Sequence, residues 1–147
     1  MKQVVKYFFL FCLGGGIYYS IELLFRHYSH PTMFLLGGIC FVICGAFNEI
    51  LDKDTPLVAQ MFLCTLVITT LELIFGYILN IKHGLHIWDY SSHRFHFKGQ
   101  ICLLFSIIWF FLGGIAVIAD DYVRYWFFDE EKPVYVFFRK PKEKNTK

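Results

Sequence analysis

Two glutamates stand where acids are expensive. Glu72 lies inside the apolar run 57–81 with no basic residue within a turn of it, and Glu22 lies near the end of the run 7–25, one turn before Arg26. An ionisable side chain within an apolar membrane span marks a transport path, a proton relay or a paired structural site. Glu22 has a structural account ready, because Glu followed by Arg at i, i+4 is the favourable order for a helical pair. Glu72 has none. Its carboxyl is expected to be protonated or hydrogen-bonded, since burial disfavours the charged form, and it is the first candidate for a functional role. Glu49, at the end of a run, reads as interfacial.

The second concentration of chemistry is the polar stretch 86–103, with Trp88, Asp89, Tyr90, Ser91, Arg94, Phe95 and Gly99 as its distinctive residues. Trp and Tyr anchor chains at a membrane boundary, and Asp89 and Ser91 are suited to capping backbone donors in a turn. Arg94 is placed to pair with Asp89 or to reach lipid phosphates. Phe95 and Phe97 flank His96, as if one face dips into apolar surroundings, and Gly99 turns the chain into the next span.

His83, His86, His93 and His96 around Asp89 raise a metal site. Zinc needs a closed tetrahedral set with supporting partners, and the loop holds no cysteine, so no metal is expected. Haem would want axial histidines inside spans, where none of the 6 histidines clearly lies; no cofactor is expected. Neither Ser91 nor Ser92 sits in a nucleophile elbow, and the spans carry no acid/base pair. The expectation is a protein that is not an enzyme.

The elements that position these residues are membrane helices. Of the 147 residues 56% are hydrophobic, and charges fall between the apolar runs rather than once per turn along them. That is the layout of spans, about 17–25 residues each, and not of amphipathic soluble helices. The expected spans are 7–25, 33–51, 57–81 and 100–119, followed by an interfacial segment 120–128 rich in Tyr and Trp. Residues 1–128 form a single four-helix domain, and 129–147 a basic, polar tail. A net charge of +2 without a basic patch excludes nucleic-acid binding. The 5 cysteines all lie within the runs, where they act as small packing residues, unlike a disulfide framework or a zinc knuckle. Lys2 and Lys6 precede the first run as in a signal peptide, but the run is long, aromatic throughout and lacks a small-x-small cleavage site. Gly14-Gly15-Gly16, Gly37-Gly38 and Gly113-Gly114 predict close helix approach.

An internal repeat organises the spans. Ile21-Glu22-Leu23-Leu24-Phe25 answers Leu71-Glu72-Leu73-Ile74-Phe75, and Gly37-Gly38-Ile39-Cys40-Phe41 answers Gly99-Gln100-Ile101-Cys102-Leu103. Two spans per unit return the chain to its starting side, so the repeats should be parallel. The fold class is therefore an all-α membrane protein of four transmembrane helices in two parallel two-helix repeats, with a polar aromatic loop between helices 3 and 4. The distribution of Lys and Arg places both termini in the cytoplasm and the loop outside.

Trp88-Asp89-Tyr90-Ser91, Phe95, Gly99-x-Ile101-Cys102-Leu103, Phe105-Ser106 and Trp109, with Leu71-Glu72 and Gly76 upstream, resemble the signature of the Putative ABC-transporter type IV (CmpB-like) family of bacterial membrane proteins. Gly37-Gly38-Ile39-Cys40-Phe41, Asn48-Glu49 and Asp120-Asp121-Tyr122-x-Arg124-Tyr125-Trp126 resemble a short single-unit subgroup of it. The chain departs from the pattern at Arg94, where proline is expected, at His96, where asparagine is expected, and at Leu104, often proline. The shared feature is thus the polar cap and not a histidine chemistry.

The resemblance implies a permease-like subunit of a transport system in a bacterial plasma membrane, with unknown substrate. The chain has no G-x-x-x-x-G-K-[ST] phosphate loop, so an ATPase would be a separate subunit. Four spans are few for a pathway, so beyond the lipid bilayer the expected partners are further copies of the chain or another membrane subunit. The alternative is a non-transporting adaptor or sensor whose loop is a docking surface; an intramembrane enzyme is a third reading.

Overall fold

The computed structural model describes residues 2–51 and 55–138. The turn at Asp52, Lys53 and Asp54, and the tail from 139 onward, lie outside the described residues. Four helices make up most of the fold: α1 (Lys2–Arg26), α2 (Pro31–Ile50), α3 (Leu57–Gly76) and α4 (Leu103–Phe128). A π-helical stretch, Tyr77–Lys82, extends α3. The apolar lengths are 24, 20, 26 and 26 residues, with mean hydropathy from 1.7 to 2.2. At 1.5 Å per residue these measure roughly 30–39 Å, enough to cross a hydrocarbon layer of about 30 Å.

The boundaries differ from the sequence expectation in an informative way. α1 begins at Lys2 rather than at residue 7, and Lys6 in its second turn is buried against Glu49 of α2 and Glu130 beyond the end of α4. α4 starts at Leu103, since Ile101–Cys102 pair as a two-residue strand with His96–Phe97. The segment 120–128 is not a separate interfacial element; it forms the last turns of α4, ending at Asp129 in a left-handed conformation with φ 54°. Its outer side chains Trp126 and Phe127 remain exposed while Asp120, Asp121 and Arg124 turn inward. In the part of the tail that is described, Val136 O accepts a 2.7 Å bond from Leu57 N at the start of α3.

α1 packs along α2 and α3 along α4, while α2 also lies against both α3 and α4. The glycines make the close approaches expected of them. A Cβ on Gly37 would come within 2.5 Å of the Tyr18 Cβ, and one on Gly38 within 2.6 Å of the Phe11 ring. One on Gly113 would meet the Cys64 Cβ at 2.6 Å. Without a hydrophobic drive between helices in lipid, such contact of small residues supplies the packing.

Candidate functional site: an intramembrane carboxyl beneath a polar cap

The π-helical stretch builds the site's frame. Its wider turn carries Asn80, 5% exposed, into the bundle, where a π-bulge is a recurrent device for re-aiming a side chain. Asn80 Oδ1 accepts the Ile87 N–H at 2.7 Å, and Nδ2 donates to Trp88 O at 3.0 Å and to Gln100 Oε1 at 2.8 Å. Trp88 Nε1 in turn donates to Gln100 O at 3.0 Å. Gly76 makes room for this, because a Cβ there would stand 2.5 Å from Gln100 Oε1. One amide thereby satisfies backbone groups of a buried loop that has no regular ladder.

With Ile87 and Trp88 seated against Met33 and Leu36 of α2, the chain turns tightly at Asp89. Asp89 accepts from both the Ser91 N–H (2.8 Å) and the Ser91 hydroxyl. These bonds hold its carboxyl below the usual carboxylate range, as stabilisation of the anion by donors requires. Gly99 closes the turn at φ +68°, and a Cβ there would lie 2.6 Å from both Asp89 Oδ1 and Ser91 Oγ, so both conformation and space call for glycine. Its carbonyl receives Tyr90 N at 2.7 Å.

The turn aims Tyr90 down into the bundle. Its ring stacks on Phe105 of α4, with centroids 4.5 Å apart and planes at 18°. Its hydroxyl donates to Glu72 Oε1 at 2.8 Å. Burial, with the Glu72 charge second, pushes the Tyr90 phenol well above its ordinary range, so it stays a donor. The other carboxyl oxygen, Oε2, accepts from Trp109 Nε1 of α4 at 3.0 Å. Glu72 is 4% exposed and, among the described residues, meets these two neutral donors without a cation. Loop motif and intramembrane acid, separate in sequence, are one site.

Glu22 lies nearby and is satisfied differently. Arg26 Nη1 pairs with Oε1 at 3.1 Å, and Ser29 Oγ donates to Oε2 at 2.6 Å. Arg26 Nη2 also donates to Ile87 O at 2.5 Å, so the pair clamps the loop to α1. Tyr18, whose hydroxyl lies 3.5 Å from Glu22 Oε1, brings its ring within 6.0 Å of that of Trp109. Next to these groups a cavity of about 180 Å³ runs between α1, α2, α3 and α4. Glu72 stands in its wall among otherwise apolar or small side chains such as Gly14, Cys40, Leu112 and Ala116.

Arg94 and Phe95 are not drawn into the site. Arg94 makes no ion pair among the described residues, Asp89 being engaged by Ser91, and Phe95 is 79% exposed. Phe97 is also exposed, so the expected dip of this face does not occur within the chain's own bundle. Two of the histidines serve local structure: His96 Nδ1 accepts from Gly99 N at 3.1 Å, and His30 caps α2 through Thr32 N at 3.3 Å.

Sequence reasoning missed a second polar centre at the opposite end. Arg124, 1% exposed, bonds Asp120 Oδ2 through Nε at 2.5 Å and Glu49 through Nη1. Lys6 reaches Glu49 Oε1 at 3.2 Å and Glu130 Oε1 at 2.7 Å. Asp121 accepts from Asn48 (2.7 Å) and from Tyr135 of the tail (2.8 Å). Burial first, then this bond, raises the Tyr135 phenol well above its usual range. Glu49 is thus part of a network and not merely interfacial. The i, i+4 spacing of Asp120 and Arg124 is the available signal, masked by the placement of 120–128 outside the last span.

The model of the family described as Putative ABC-transporter type IV matches residues 6–136. That is most of the chain, from within α1 through the loop and α4, and the protein belongs to this family. No curated protein and no solved structure matches the chain. With four helices long and apolar enough to cross a membrane, it is a multi-pass, transport-associated membrane protein.

Proposed function

We propose, taking that family as premise, that the protein is the permease-like membrane subunit of a transport system whose ATPase is a separate chain. The observation that carries the reading is the cavity with Glu72 in its wall. A two-helix pair would bury its small residues completely, whereas here four helices leave open space next to a carboxyl held by donors from two different elements. Intramembrane acids of this kind are kept where a solute or proton passes. In this account Tyr90 and Trp109 position the carboxyl, and the loop closes that end of the bundle. The protein itself performs no covalent chemistry.

A four-helix chain encloses too little for a complete pathway, so the working unit includes further copies or another membrane subunit. It resides in the bacterial plasma membrane with both termini in the cytoplasm and the loop outside, as the distribution of Lys and Arg favours. The exposed Phe95 and Phe97 at the loop tip favour one second reading, an adaptor that docks a partner there without transport. Affinity capture of the tagged protein from its native membrane in mild detergent separates the two. Recovery of an ATP-binding-cassette chain is the expected result. A capture containing only copies of the chain or a soluble signalling protein would contradict the transport reading.

A further inference from the structure

We propose that the tip of the loop, Arg94 to Lys98, is a docking surface for the anionic phospholipid headgroups of the adjoining leaflet. The inference requires only that the four helices cross a membrane, and it stands whether or not the protein transports anything.

Depth comes first. His96–Phe97 and Ile101–Cys102 pair antiparallel, with His96 opposite Cys102 and Phe97 opposite Ile101. Just beyond that pair, Phe95 O accepts a 3.2 Å bond from the N–H of Leu103, the first residue of α4. The tip is therefore lashed to the point where a membrane span begins, and not held away from the bundle. From that point Leu103, Leu104, Ile107 and Phe111 are exposed along α4, and the exposed Phe95 and Phe97 carry apolar surface past the helix end. Aromatic side chains set among cations at this level lie in the boundary between headgroups and acyl chains.

Charge selects the lipid. Arg94 and Lys98 flank the two rings, both are exposed, and neither forms an ion pair among the described residues. Lys98 Nζ lies 5.9 Å from the centroid of the Phe97 ring, which places cation and ring together. Between residues 73 and 119 the sequence has Lys82, Arg94 and Lys98 against Asp89 alone, and Ser91 already engages Asp89. A guanidinium matches phosphate with paired bonds, an ammonium adds a point charge, and basic side chains at a bilayer surface favour anionic lipids. The opposite end differs: its exposed Trp126 and Phe127 are followed by Asp129, Glu130 and Glu131. Docking would also steady the carboxyl site. Gly99 N donates to His96 Nδ1 and Gly99 O accepts from Tyr90 N, so the tip is tied to the residue that bonds Glu72.

The test places the purified full-length protein, one copy per nanodisc, in phosphatidylcholine alone or in its equimolar mixture with phosphatidylglycerol. Hydrogen exchange, mapped on peptides by mass spectrometry, is expected to slow severalfold over residues 93–102 in the mixture. Arg94→Gln combined with Lys98→Gln should abolish that slowing, and Arg94→Lys should retain part of it. Exchange over residues 57–76 should be the same in all these samples, which shows that the variants fold, and the wild-type comparison stands without any variant. Glycerol phosphate added to the phosphatidylcholine discs should not reproduce the slowing. Equal exchange in the two lipids, slowing that survives the double substitution, or slowing reproduced by the soluble phosphate would overturn the proposal. Protection that arises only in discs holding two copies would do the same, and would assign the tip to a protein contact.

Discussion

The two polar centres at opposite ends of the bundle solve the burial of charge in different ways. Near the chain's start, Lys6, Glu49, Asp120 and Arg124 pair cations with anions across α1, α2 and α4. A Cβ on Gly45 would overlap the Asp120 carboxylate, so α2 is shaped to receive it. Beneath the loop, Glu72 has, among the described residues, only a phenol and an indole as partners. Paired charges offset each other's desolvation and make a rigid closure; an acid held by neutral donors keeps the capacity to change protonation state or partner. The first arrangement is that of a structural clasp, and the second that of a working group.

The comparison breaks most sharply at Arg124. Arg124→Leu leaves the buried Asp120 without its cation, while the more exposed Glu49 keeps Lys6, and the loss of a partner from a buried pair costs roughly 3–5 kcal/mol. Thermal unfolding in detergent should show a large drop, and Asp120→Leu combined with Arg124→Leu should recover much of it. A double variant no better than the single one would mean that the two do not act as a pair.

Beneath the loop a smaller loss is expected. Tyr90→Phe removes one donor and leaves a carboxyl oxygen undersatisfied, for about 1–3 kcal/mol. The same denaturation experiment should show that Glu72→Leu in the Tyr90→Phe background is milder than the sum of the two changes, because the orphaned acceptor is then gone. Strict additivity would place Tyr90 outside the site.

Gly99→Ala probes the hinge that delivers Tyr90. A side chain at φ +68° in contact with Asp89 and Ser91 should cost about 1–2 kcal/mol, and hydrogen exchange should report loosening of residues 88–102 before any change at the opposite end. Uniform loosening would argue against a locally folded cap.

The smallest effect concerns pH. Ser91 lowers the Asp89 carboxyl below its unfolded value, so the stabilisation is present above the ordinary aspartate range and is lost as pH falls through the folded value. Ser91→Ala should flatten this acid limb slightly, with little change at neutral pH. A variant with an unchanged acid limb would show that the turn carries no such linkage.

Much of this molecule was legible because membrane spans are written in long apolar runs and because Trp88, Asp89, Tyr90 and Ser91 form a compact motif. The identity of Glu72 as an unpaired acid was likewise visible. Its partners were not, since Tyr90 and Trp109 reach it from 18 and 37 residues away, across a loop whose path depends on Asn80 turning inward at a π-helical stretch. Hydrophobic periodicity does not encode that wider turn. Asp120 and Asp121 look like the edge of a span; Arg124, one turn after Asp120, and Asn48 of α2 with Tyr135 of the tail, which bond Asp121, make their burial tolerable. Charge is read as a boundary until its partner is known.

The central claim, that Glu72 works while the opposite clasp only holds, is tested most directly by ATP hydrolysis of the captured complex in proteoliposomes. The comparison is between wild type and Glu72→Gln, with unfolding temperature measured on the same preparations. The account predicts an unfolding temperature close to wild type, because the amide oxygen still accepts one bond, together with a severalfold loss of ATP hydrolysis. Hydrolysis equal to wild type in a protein equally stable would contradict it and return Glu72 to the role of a structural acceptor.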